Sequence, residues 1–86
     1  MQPGDPRADP AVVDLIELAG LWLAAGDRHA LARTLGRLDD ELSSRFPREG
    51  AFSQRFRDLL DLAQRLDPQR PSDEELRRAY RRATVG

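Results

Sequence analysis

Residues 9–27 read DPAVVDLIELAGLWLAAGD, and the way this stretch starts, repeats and stops decides the fold. Asp9 is a residue whose side chain can accept a free backbone N–H at a helix start, and Pro10 sits at the first helical position, where its missing N–H is no loss. Val12, Leu15, Ile16, Ala19, Trp22 and Leu23 then recur at helical spacing, which predicts a helix from about 10 to 25. Gly26 can adopt the left-handed conformation that ends a helix, and Asp27 can cap the next one. Gly26-Asp27 is therefore predicted to be the tight turn of an antiparallel helical hairpin.

The same reading extends to the C-terminal side. Leu31, Leu35, Leu38 and Leu42 are spaced four, three and four residues apart, a single apolar seam on a helix from about 28 to 44. Phe46-Pro47 ends it, because proline disfavours helix at the preceding residue. Residues 47–50 form a short loop. A third helix is predicted from about 51 to 66, with Phe52, Phe56, Leu59, Leu60, Ala63 and Leu66 on one face and Arg57, Asp58, Asp61 and Arg65 on the other. Pro68 and Pro71 bracket a loop. Ser72 and Glu75 have the spacing of a capping box, opening a fourth helix from about 73 to 83 that turns Leu76, Ala79, Tyr80 and Ala83 inward. No segment alternates as a strand does. The predicted class is all-α: a small four-helix up-down bundle beginning with an α-hairpin, with three-plus-one packing of the same helices as its variant. Residues 1–8, with two of the three prolines that precede residue 11, are expected to be a flexible tail, and 9–86 a single helical domain.

Composition limits the chemistry. The chain has 86 residues, 40% hydrophobic and 34% charged, with a net charge of −1, a globular balance that offers no global attraction to nucleic acid or anionic membrane. It has no cysteine, which excludes disulfides, thiolate catalysis and cysteine-held metals. All fourteen basic residues are arginine, the mark expected of a GC-rich bacterial genome. The N-terminal residues do not have the basic start and apolar run of a secretory signal. The longest apolar stretch, 11–25, is interrupted by Asp14 and Glu17 and is shorter than the roughly 20 residues of a membrane span. A cytoplasmic protein without membrane attachment is expected.

Several features could carry function. The first helix is apolar over most of its circumference, since Val13, Leu18, Leu21 and Ala25 widen the inner face. Such a helix is either the centre of the fold or partly covered by another chain. On the second reading, Leu18, Leu21 and Trp22 are the partner-binding residues, Trp22 being the type of aromatic anchor common in interfaces. Arg77, Arg78, Arg81 and Arg82 form a basic stripe that could contact an anion, an acidic partner or phosphates. The alternative is a solvated face paired with Asp73 and Glu74 at i, i+4. His29 is the only histidine and, without cysteines, cannot build an ordinary zinc site. Asp39, Asp40 and Glu41 are consecutive, so they point in different directions and cannot jointly chelate an ion.

Two stretches resemble parts of known families. Leu18, Ala19, Trp22 and the Gly26-Asp27 turn fall at spacings similar to those of a tetratricopeptide repeat, although Leu31 replaces that family's alanine and Pro47 stands later than its closing proline. Residues 72–82, SDEELRRAYRR, resemble the second helix of J-domain co-chaperones, without the His-Pro-Asp tripeptide that follows it there. Neither resemblance transfers a function. The expected role is a non-catalytic helical protein–protein interaction module, an accessory or regulatory subunit binding another chain or a second copy of itself. A small nucleic-acid-associated regulator using the arginine-rich helix is the alternative. No catalytic residue, cofactor or metal is expected, and any enzymatic role would be as an accessory to an enzyme complex.

Overall fold

The computed structural model describes residues 4–65 and 71–85, and its helices are α1 (Pro10–Ala25), α2 (Arg28–Arg45), α3 (Gly50–Gln64) and α4 (Asp73–Val85). Each packs on the next, and α4 returns to α1, closing an up-down four-helix bundle of the kind short helix–helix connections favour. There is no strand among the described residues.

The boundaries follow local chemistry. Asp9 accepts from the Val12 backbone N–H at 3.2 Å, and Pro10 occupies the first turn. Gly26 is left-handed (φ 74°), the only positive φ among the described residues. There the Asp27 N–H returns to the Trp22 carbonyl at 3.0 Å, the bond that satisfies a helix-terminal carbonyl in a glycine-ended helix. Asp27 then caps α2 by accepting from Ala30 at 3.0 Å. At α4 the Glu75 N–H donates to Ser72 Oγ at 3.2 Å, the serine half of the expected capping box. Four ends differ from the sequence reading by one or two residues, among them the start of α3, which takes in Gly50. α2 continues to Arg45, and α4 to Val85. α3 stops at Gln64 because Arg65 is extended (ψ 125°); Leu66 and Pro68, assigned above to α3 and its following loop, lie outside the described residues.

The core centres on α2. Leu35, Leu38 and Leu42 are fully buried and Leu31 nearly so, and they join Phe52, Phe56, Leu59 and Ala63 of α3 and Leu76 and Ala83 of α4. Phe46, which the sequence marked only as a helix end, is also buried. α1 is a wall of the bundle rather than its centre. Only Val12, Ala19 and Leu23 on it are buried, with Leu15, Ile16 and Trp22 half-buried against the core.

The described part of the expected tail is structured. Pro6–Ala8 is a 3-10 turn capped by Asp5, which accepts from the Arg7 N–H at 2.9 Å. Pro6 is fully buried, and the Arg7 guanidinium lies 4.7 Å from the centre of the Phe52 ring. Burial of a proline that carries no N–H to satisfy, together with a cation on an aromatic face, holds this segment where composition alone suggested a tail.

Asp9 also joins two helices. While capping α1, its carboxylate takes Arg45 at 2.6 Å from the last turn of α2, and Arg45 in turn reaches Glu41 at 3.0 Å. Both charges sit where helix dipoles favour them, the acid at a start and the arginine at an end. The Arg45 hydrogen bond is the main cause holding the Asp9 carboxyl below its usual 3.8, with the Val12 N–H helping. The folded chain therefore binds this proton less tightly than the unfolded one. The contribution is complete above the ordinary carboxylate range and is lost as pH falls through the lowered value. Arg45→Gln is expected to reduce stability at neutral pH and to flatten its decline between about pH 5 and pH 2, followed by urea unfolding at stepped pH. Parallel curves for variant and parent would assign the acid sensitivity to other groups.

Candidate functional site

Helix geometry separates the residues singled out in the sequence. On α1, successive residues turn by about 100°, so the buried stripe of Val12, Ala19 and Leu23 places Leu21 on the opposite side, facing water. Leu21 is 66% exposed, while Leu18 and Trp22 are half-buried on the flank beside it and Ala24 and Ala25 are exposed. The three expected contact residues thus lie together as one outward strip, anchored at Trp22 to the core. Asp14 and Glu17, both exposed, lie one turn before Leu18 and Leu21 on the same outward side of the helix.

The four arginines of α4 are all exposed and cover its outward side from one groove to the other. Arg77 and Arg81 line the groove between α4 and α1, with Gly20, Leu23 and Ala24 opposite. Arg82 lies on the other flank, in the α3–α4 groove with Arg55, Arg65, Asp58 and Asp61. Arg78 makes a loose contact with Glu74 at 3.8 Å. Only this one of the expected i, i+4 pairings is formed. Asp73 turns instead to Arg28 at 3.5 Å, and the Arg28 guanidinium also donates to the Pro71 carbonyl. Arg28 thereby ties the start of α2 to the start of α4.

The acidic run disperses as its spacing required. Asp39 pairs with Arg57 of α3 at 3.1 Å, Glu41 with Arg45, and Asp40 is exposed. His29 is exposed. Among the described residues, no group of three or more histidines and acids is placed to hold a metal ion, and no helix is long and apolar enough to cross a membrane.

The α1–α4 junction rests on Tyr80, expected to face inward, and on Gly20, which the sequence reading passed over. The Tyr80 hydroxyl donates to the Ile16 carbonyl at 3.0 Å, spanning 64 residues of chain. Its ring lies over Gly20, where an added Cβ would meet the Tyr80 hydroxyl oxygen at 2.7 Å and the ring carbon bearing it at 3.2 Å. Burial, with the Glu17 charge adding to it, pushes the Tyr80 phenol above its usual 10.0, so the hydroxyl stays protonated and able to donate. An interior glycine weakens a helix by roughly 0.5–1 kcal/mol relative to alanine, which was the available signal that position 20 has a packing role.

No protein-family model matches the chain, and neither the curated proteins nor the solved structures include a match to it.

Gly20→Ala is expected to destabilise the protein by about 1–2 kcal/mol, since evicting Tyr80 and its hydrogen bond outweighs the gain in helix propensity. In a Tyr80→Ala background the same substitution should be neutral or stabilising. Urea unfolding of the two single variants and the double variant measures the reversal; a destabilisation that persists without the ring would place its cause elsewhere on α1.

Proposed function

We propose that this chain is a non-catalytic helical interaction module, an accessory or regulatory subunit, and that the outward strip of α1 is its contact surface. The observation that carries this reading is the exposure of Leu21, 66% open to water on a helix whose other large apolar residues are buried or half-buried. A lone exposed leucine is ordinary. Here it adjoins Leu18 and the half-buried ring of Trp22 and is rimmed by charged residues, the composition of a small interface centre. The nucleic-acid alternative draws less support, because the three acids in the first turn of α4 and the net charge of −1 oppose approach of a phosphate backbone.

Leu18→Ser/Leu21→Ser separates surface from interior. The double variant is expected to lose no more than about 1–2 kcal/mol, against roughly 2–5 kcal/mol for a core truncation such as Leu38→Ala. At the same time it should migrate as the free 9.7 kDa chain in extracts where the parent runs at a higher native mass. Denaturant unfolding and native size measurement together decide the matter. A core-like loss of stability, or a parent that itself runs as the free chain, would overturn the proposal.

A further inference from the structure

The charges around the strip on α1 differ in sign along its length. Asp14 and Glu17 stand on the strip's own side, one turn before Leu18 and Leu21, and no basic residue lies anywhere on α1. Toward the other end the charge comes from α4, which runs antiparallel to α1. Thr84 shares a groove with Val13, Ile16 and Glu17, whereas Arg77 and Arg81 line the groove with Gly20, Leu23 and Ala24. Glu17 is therefore on the flank of α1 that α4 covers. Tyr80 seats on Gly20, so Arg77, one turn earlier on the antiparallel helix, is level with about residue 23 of α1. None of Asp14, Glu17, Arg77 and Arg81 has an ion-pair partner among the described residues, although six other pairs are formed there. The strip thus presents acids near one end and arginines toward the other, in equal number.

We infer that the strip pairs with the same strip of a second copy of this chain, α1 against α1 and antiparallel about a two-fold axis. The inference rests on the interaction reading above and names the partner. An axis centred between Leu18 and Leu21 sets Leu18 of each copy against Leu21 of the other, and Asp14 level with Ala25. Such an axis keeps the α4 of both copies on one flank of the pair while reversing its direction. Arg77 of one copy then comes level with about residue 16 of the other, beside Glu17 on that flank, and symmetry forms the pair twice. The two Arg81 residues stand between the two Glu17 positions. Opposite signs so placed select a partner and fix its register. An acidic partner would meet Asp14 and Glu17, and a basic one Arg77 and Arg81, so either would find two like charges on the surface it covers. An anionic membrane meets the same two acids. One helix face is a small contact beside the roughly 1,200 Å² of a stable interface, so the dimer is expected to dissociate on dilution.

Sedimentation equilibrium of the purified full chain, from about 10 μM to about 1 mM, covers the weak range expected. The mass should rise with concentration from 9.7 kDa toward twice that, and Leu18→Ser/Leu21→Ser should hold it at the lower value. Glu17→Arg and Arg77→Glu are each expected to weaken the dimer at least about tenfold, and the two together to regain most of it, because the pair re-forms with its signs exchanged. Raised salt should weaken the parent and the double reversal alike. Orientation is read separately by disulfide cross-linking, in a chain with no cysteine of its own. Mixed Asp14→Cys and Ala25→Cys chains should cross-link to each other and neither to itself, since like positions lie about 16 Å apart along the paired helices. Far-ultraviolet circular dichroism checks folding, and the cysteine variants carry the test should a charge variant fail to fold. A parent at 9.7 kDa at every concentration, a dimer that survives Leu18→Ser/Leu21→Ser, a double reversal no tighter than the single ones, or Asp14→Cys cross-linking to itself would each overturn the inference. If the pure parent is monomeric while Leu18→Ser/Leu21→Ser still lowers the native mass in extracts, the second copy is rejected and the interaction module stands with a different partner. Loss of both effects rejects both.

Discussion

Leu31, Leu35, Leu38 and Leu42 run along one side of α2 with almost no water contact, and the bundle is organised around that row. α1 packs on one side of α2 and α3 on the other, while α4 closes the remaining side between α3 and α1. Removing a fully buried leucine leaves a cavity as well as lost contacts, so the row tolerates little change. The polar links are arranged around it. Asp39–Arg57 holds α2 to α3, Asp9–Arg45 holds it to α1, and Arg28 holds it to the segment that starts α4. These exposed or half-exposed pairs add modest stability; their consequence is to set which edge of α2 each neighbour meets.

Most of the architecture was legible because its signals are local. A cap, a turn glycine and a 3.6-residue repeat each lie within a few residues of the element they define, and the starts of α1, α2 and α4 were accordingly placed from Asp9, Asp27 and Ser72. What was not legible depends on pairs distant in the chain. Nothing near Pro6 announces that it will be buried, and nothing near Phe46 separates a helix terminator from a core residue. The apolar breadth of α1 could not reveal whether the helix is central or peripheral, since that depends on where α4 returns. The return is set by Tyr80 seating on Gly20, two residues sixty positions apart whose types are unremarkable alone.

The arginines show the same limit in the candidate site. Arg77, Arg78, Arg81 and Arg82 are close in sequence and share one helix, but the bundle sends Arg77 and Arg81 to one groove and Arg82 to another. Leu18, Leu21 and Trp22 drew notice because they share one unusually apolar segment, but how far each is exposed is set by the packing of α1 against its neighbours. Which groove each arginine of α4 lines became visible only with the packing of the helices.

The Tyr80–Ile16 bond also has a consequence for the order of assembly. α1, α2 and α3 meet through neighbours in sequence, so their contacts close short loops. The bond from Tyr80 closes one of 64 residues, and the entropy lost in closing a chain loop grows with its length. Fold topologies dominated by local contacts form quickly, while long-range closures depend on structure already present. The Gly20 seat is available to Tyr80 only once α1 is helical and the α1–α2–α3 meander has brought its inner face into place. The fourth helix is in this sense a late addition to a nucleus built around α2, and the transition state for folding should contain the leucine row before it contains the tyrosine.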